Sequence, residues 1–135
     1  MAQRLSQPDS INILIGHPDW AWPQAVTEIF RPRLINSLVA DTLPDMVRLV
    51  SHHKMHLAIL DTAPNFAHAL QALKTIRQYD QLLPCILLAA QPAQKLLAQA
   101  LALHVFSVLD KPVNMTILAE QIDRLFLKYY NIEGN

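Results

Sequence analysis

Two charged residues close apolar runs in this chain. Asp61 follows Leu57-Ala-Ile-Leu60, and Lys111 follows the run Val105–Leu109 with Asp110 between and Pro112 behind. If both runs are strands of one parallel sheet, the carboxylate and the ammonium converge at the same edge. A lone aspartate ending a strand also serves as a helix cap or a loop solvator, so its chemistry depends on what else reaches that edge. His17, in Gly16-His-Pro-Asp-Trp20, stands at the same mouth as a hydrogen-bonded loop residue, a ligand or a base. His52 and His56 have the i, i+4 spacing that puts two metal ligands on one helix face. Together with His53 they also crowd the end of a helical stripe, where imidazoles favour the helix dipole and face water, and this is the reading we adopt. Cys85 opens an apolar run as a small core residue. As the sole cysteine it forms neither an intramolecular disulfide nor a zinc knuckle, in keeping with a reducing cytoplasm.

The elements that position these residues follow from apolar spacing. Short apolar runs at Ile11–Ile15, Leu34–Val39, Leu57–Leu60, Cys85–Ala89 and Val105–Leu109 read as strands, and their continuous apolarity marks a parallel sheet covered on both faces. Between them apolar residues recur at helical spacing. The stripes are Trp22, Val26, Phe30; Leu43, Met46, Val47, Val50; Phe66, Leu70, Leu73, Ile76; Leu96, Leu97, Ala100, Leu101; and Ile117, Leu118, Ile122, Leu125, Tyr129. Asp41-Thr42, Gln91-Pro92 and Asn114 mark helix starts; the triplet Asn114-Met-Thr116 reads as that cap rather than as a glycosylation site. The pattern is (βα)₅, and the right-handed crossover rule makes it a doubly wound α/β three-layer sandwich. In such a sheet ligands bind outside the carboxyl ends of the strands, where Asp61 and Lys111 fall.

Composition excludes several functions. The chain has 135 residues, 52% apolar and 16% charged, with eleven basic side chains balancing eleven acidic ones. That suffices for one domain with its own core. Its two glycines, Gly16 and Gly134, stand apart, so no glycine-rich phosphate loop of the Walker or dinucleotide type is present. A flavin could stack on Trp20 or Trp22, but the adjoining loop lacks the hydroxyls and glycines that a flavin phosphate needs, so packing over the sheet edge is expected. Neutral balance without a basic cluster predicts no nucleic-acid binding, and the apolar stretches are too short to span a membrane.

At this point Leu57-Ala-Ile-Leu-Asp61 and Val108-Leu-Asp-Lys111-Pro112-Val resemble the third and fifth strands of the receiver domains of two-component response regulators. The resemblance implies a five-stranded parallel sheet of flavodoxin-like, CheY-like topology over residues 11–130, with a polar arm at 1–10 and a tail at 131–135. It makes Asp61 the phosphoacceptor, Lys111 its contact, and the bond before Pro112 commonly cis.

The departures from that family are as informative. Where receivers carry two adjacent acids for Mg²⁺, this chain reads His17 and Pro18, which offer no hard carboxylate oxygens, and Asp19 suits a helix cap better than a shifted ligand. Ala89 replaces the hydroxyl residue after the fourth strand, Val108 replaces the switch aromatic, and Pro64 falls three rather than four residues after Asp61. Receivers often place glycine seven residues before the lysine, where this chain has His104. The expectation is a degenerate or pseudo-receiver that binds Mg²⁺ weakly or not at all. Lys111 would pair permanently with Asp61, and the domain would act in the cytoplasm through a protein partner such as a histidine kinase or another regulator. A homodimer or partner face is expected on the fourth helix, fifth strand and fifth helix, anchored by Phe106, Phe126 and Tyr129. The competing readings are an active phosphoacceptor at Asp61 with Asp19 or His17 in unusual metal use, and a small-molecule site at His17 and Asp61.

Overall fold

Side chains that alternate along strands yet are buried on both sides require helices above and below the sheet. The computed structural model describes residues 10–16, 34–63 and 65–131. Five strands, β1 (Ser10–Gly16), β2 (Leu34–Ala40), β3 (Leu57–Asp61), β4 (Cys85–Ala89) and β5 (Ser107–Asp110), form one parallel sheet in the order β2-β1-β3-β4-β5. The helices are α1 (Leu43–His52), α2 (Phe66–Tyr79), α3 (Gln94–Ala102) and α4 (Met115–Tyr130), corresponding to the second through fifth expected from spacing. The first expected stripe, Trp22, Val26 and Phe30, lies outside the described residues, as do Trp20, His17, Pro18, Asp19 and Pro64. β5 begins at Ser107 rather than Val105, although Phe106 already donates its N–H to Cys85 O.

The two faces sort by residue parity. Ile11, Ile13, Ile15, Leu57, Ile59, Ile86 and Leu88 pack against Leu118, Ile122, Leu125 and Phe126 of α4. Leu14, Ala58, Leu60, Cys85 and Leu87 face the other way, onto Met46 of α1, Leu70, Leu73 and Ile76 of α2, and Ala100 of α3. Each large side chain withdrawn from water in this way stabilises the fold by roughly 2 kcal/mol. Burial pushes the Cys85 thiol up to about 11, consistent with an inert core residue.

Helix ends follow the chemistry of their first residues. Thr42 accepts from Asp45 N, Asn65 from His68 N, and Asn114 from both Thr116 N and Ile117 N. α3 differs: its cap position is Ala93, which has no side-chain acceptor, and not Gln91-Pro92 as the sequence implied. The opposite end of α3 is tied down. Arg77 of α2 donates to Leu103 O at 2.9 Å, His104 O at 3.2 Å and Leu83 O at 2.6 Å, joining two helix C-termini and the approach to β4. His104 sits there at φ 60°, in the left-handed conformation that glycine adopts more readily than other residues.

His56 corrects the reading of the histidine cluster. α1 ends at His52, so His56 does not share its face, and it is buried rather than wet. Its Nδ1 accepts the N–H of Asn12 at 3.0 Å, its carbonyl accepts the Tyr130 hydroxyl at 2.7 Å, and its ring meets that of Tyr130 edge to face. Asn12 in turn accepts from Asn36 Nδ2 at 3.0 Å, so one network stitches β1, β2 and α4 at the amino end of the sheet.

Candidate functional site

Parallel pairing brings the ends of β3, β4 and β5 to one edge. Thr62 N continues the β3–β4 ladder to Leu88 O, and Lys111 N continues the β5–β4 ladder to Ala89 O. Asp61 and Lys111 are thereby held about two strand spacings, roughly 10 Å of backbone, apart, a gap their side chains can close. Lys111 Nζ lies 3.0 Å from Asp61 Oδ1 and 2.8 Å from Oδ2. Asp61 Oδ1 also accepts Ala63 N at 2.9 Å, a local turn contact that fixes the carboxylate. The aspartate side chain is 7% exposed and the lysine 29%, so the ion pair is sheltered on its acidic side and open to water on its basic side. Charge-assisted contacts to both oxygens make this a strong pair with a defined geometry. The peptide bond between Lys111 and Pro112 is cis.

The other expected positions separate into those near this pair and those elsewhere. Ala89 is buried at the end of β4, and Val108 packs, partly buried, on the α1–α3 side of the sheet. Neither presents a hydroxyl or an aromatic ring to Asp61. His17, Pro18 and Asp19 lie outside the described residues. Among the described residues, no group of three His, Cys, Asp or Glu side chains stands ready to hold a metal ion. Both Asp61 oxygens are engaged by an ammonium, and β1 ends in Gly16, which has no side-chain ligand.

Gly16 has a steric role instead. A Cβ there would meet Leu60 Cδ2 and Met46 Cε at 2.8 Å each, so any larger residue requires the ends of those two side chains to shift away from β1. Spacing gave no sign of this contact. Nor did it single out His68, in the first turn of α2, which lines the same cleft as Asp61.

Of the three expected interface anchors, Phe126 is fully buried in the core beneath α4 and does not reach the surface. Its place on the helix repeats the Leu118, Ile122, Leu125 stripe, which faces the sheet. Tyr129 is 46% exposed and meets half-buried Phe106 edge to face, with ring centroids 6.3 Å apart. Ile117, expected in the core stripe, is exposed, as is Leu101 of α3. No described helix is long and apolar enough to cross a membrane.

Comparison with known proteins agrees with this geometry. The family model for the response regulator receiver domain matches residues 19–123. Solved structures with the same fold include the receiver domain of Francisella response regulator 1452, with 19% identity, TM-score 0.70, and coverage of 87% of this chain and 98% of that one. A CheY-like receiver domain protein from Methanospirillum hungatei has 19% identity and TM-score 0.71, covering 85% of this chain and 93% of its own. A signal receiver domain of a two-component histidine kinase from Clostridium thermocellum has 19% identity and TM-score 0.73, covering 87% and 98%. A search of curated protein sequences finds no match. With its β2-β1-β3-β4-β5 sheet, its Asp61–Lys111 edge and a family match over most of its length, the chain belongs to the response regulator receiver domain family.

Proposed function

We propose that this receiver domain is a pseudo-receiver, a signalling module of a two-component system that works by binding a protein partner rather than by accepting a phosphoryl group. The observation that carries the reading is the direct closure of Lys111 onto both oxygens of Asp61. An acceptor carboxylate must expose an oxygen as nucleophile and have nearby positive charge to neutralise the incoming phosphoryl group. Here the positive charge is already spent on the carboxylate itself, and the sequence supplies His17 and Pro18 where the family places metal-binding acids. Ala89 and Val108, in place of a hydroxyl and an aromatic switch, remove the parts that would transmit phosphorylation. The partner is a histidine kinase or another regulator, bound in the cytoplasm.

The docking face in this reading lies on α3, β5 and α4. Phe106 and Tyr129 supply aromatic anchors, Ile117 and Leu101 add exposed apolar surface, and a cleft of about 300 Å³ beside Pro112 and Ile117 offers a place for a partner side chain. The same face serves for self-association.

Intact-mass measurement after incubation with a small-molecule phosphodonor and Mg²⁺ tests the central claim. The expected result is unmodified protein. A stoichiometric phosphoryl adduct on the wild-type chain that is lost in Asp61→Asn overturns it and makes the domain a working acceptor.

A further inference from the structure

The Asp61 carboxylate borders more than the lysine. At the carboxyl ends of β1 and β3, between α1 and α2, lies a cleft of about 300 Å³ whose floor is Gly16, Met46 and Leu60 and whose walls include Ala69 and Ala72. Small residues border it: the alanines present only methyl groups, and Gly16 has no side chain. The helices on either side are anchored to the sheet through Met46 of α1 and Leu70, Leu73 and Ile76 of α2. Apolar surface left wet in a recess is surface that a fitting molecule covers with gain.

The polar groups around this recess select the chemistry of the occupant. Among the described residues Asp61 Oδ1 accepts two hydrogen bonds, whereas Oδ2 accepts only the one from Lys111, which leaves it room for a further donor. Asp41 adds a second carboxylate at the rim, and His68 is the one basic side chain among the described lining residues. Lys111 pairs with Asp61 but is not part of the lining, so the recess itself carries acceptors, with Asp41 supplying a carboxylate outside that pair.

We infer that this cleft is a binding site for a small apolar molecule whose polar head donates hydrogen bonds, an amine or a hydroxyl, with the head at Asp61 and the apolar body over Met46, Leu60 and Ala72. The site needs no phosphoryl group or metal ion. It stands whether or not Asp61 is a phosphoacceptor. Occupancy adds a donor to the carboxylate that Lys111 grips, so the ligand reports directly to the edge where β3 and β5 meet.

The test is a titration of ¹⁵N-labelled protein with three phenyl compounds of similar size that differ in the head: phenethylamine, phenethyl alcohol and phenylacetate. Molecules of about nine non-hydrogen atoms bind such recesses at roughly millimolar concentrations. The amine and the alcohol are expected to give saturable shifts of the Thr42, Asp61 and Ala69 amides, and the carboxylate to bind about tenfold more weakly or not at all. Ala72→Leu, which fills the recess, abolishes the shifts in a protein whose spectrum remains that of the native fold; Ala69→Val replaces it if the larger residue is not accommodated. The inference fails if neither the amine nor the alcohol gives saturable shifts up to about 10 mM. It also fails if the shifts map to another surface, if phenylacetate binds as well as the amine, or if a folded recess-filling variant still binds.

Discussion

Removing the ammonium from the Asp61–Lys111 pair leaves a carboxylate that is only 7% exposed with a single backbone donor, Ala63 N–H, for support. Breaking a fully buried pair on one side is strongly destabilising, but Lys111 is 29% exposed and water screens part of the interaction. Lys111→Met is therefore expected to lower unfolding stability by about 1–2 kcal/mol. Asp61→Asn keeps the Ala63 contact and is expected to cost less. The double variant should be more stable than the sum of the singles by about 1 kcal/mol, as urea unfolding of all four proteins would reveal. Strict additivity would mean that the pair is geometrically close yet energetically idle. The two residues themselves were legible in the sequence because each ends an apolar run. Their direct contact was inferable only from what the neighbouring positions lack.

Between elements, the His56 network makes a pH-dependent joint. Asn12 N–H donates to Nδ1, so that nitrogen carries no proton, and the neutral ring is the form that holds β1 to the chain entering β3. Burial, with the Lys54 ammonium nearby, holds the imidazole below its ordinary 6.5. The unfolded chain takes up a proton near 6.5 and the folded one resists. The stabilisation is thus present above 6.5 and is lost as the pH falls below it toward the lower folded value. Urea midpoints are expected to drop over that range by an amount corresponding to about 1 kcal/mol, the contribution of one hydrogen bond. His56→Asn, whose Oδ1 can accept the same N–H, should flatten the profile, and an unchanged slope in that variant would remove His56 as the cause. Sequence spacing put His56 on a wet helix end because nothing local announced that α1 stops at His52. Phe126 was misplaced for a related reason: apolar residues at 118, 122, 125, 126, 129 and 130 cover a wider arc than α4 can bury, and only the sheet decides which of them face inward. Strands were easier to read, since a parallel sheet covered on both sides demands unbroken apolar runs.

At the scale of the whole molecule, neutral net charge leaves association to shape and apolar contact rather than to long-range steering. Phe106 and Tyr129 are the aromatic pair on the α3–β5–α4 face, with Lys128 Nζ 5.4 Å from the Tyr129 ring centre. Sedimentation over a range of concentrations should show self-association that Tyr129→Ala and Phe106→Ala weaken by about tenfold each, the effect of deleting an interface anchor. A monomer throughout, with partner binding indifferent to both substitutions, would move the docking face elsewhere. The helix that borders this face is held unevenly. Arg77 grips the backbone just beyond its carboxyl end, while Ala93 leaves its amino end without a side-chain cap. α3 is in effect a beam clamped at one end, its free end at the sheet edge that carries Asp61 and Lys111. A sideways load on it meets the Arg77 hydrogen bonds at one end and no side-chain cap at the other, so resistance is smaller at the end beside the ion pair.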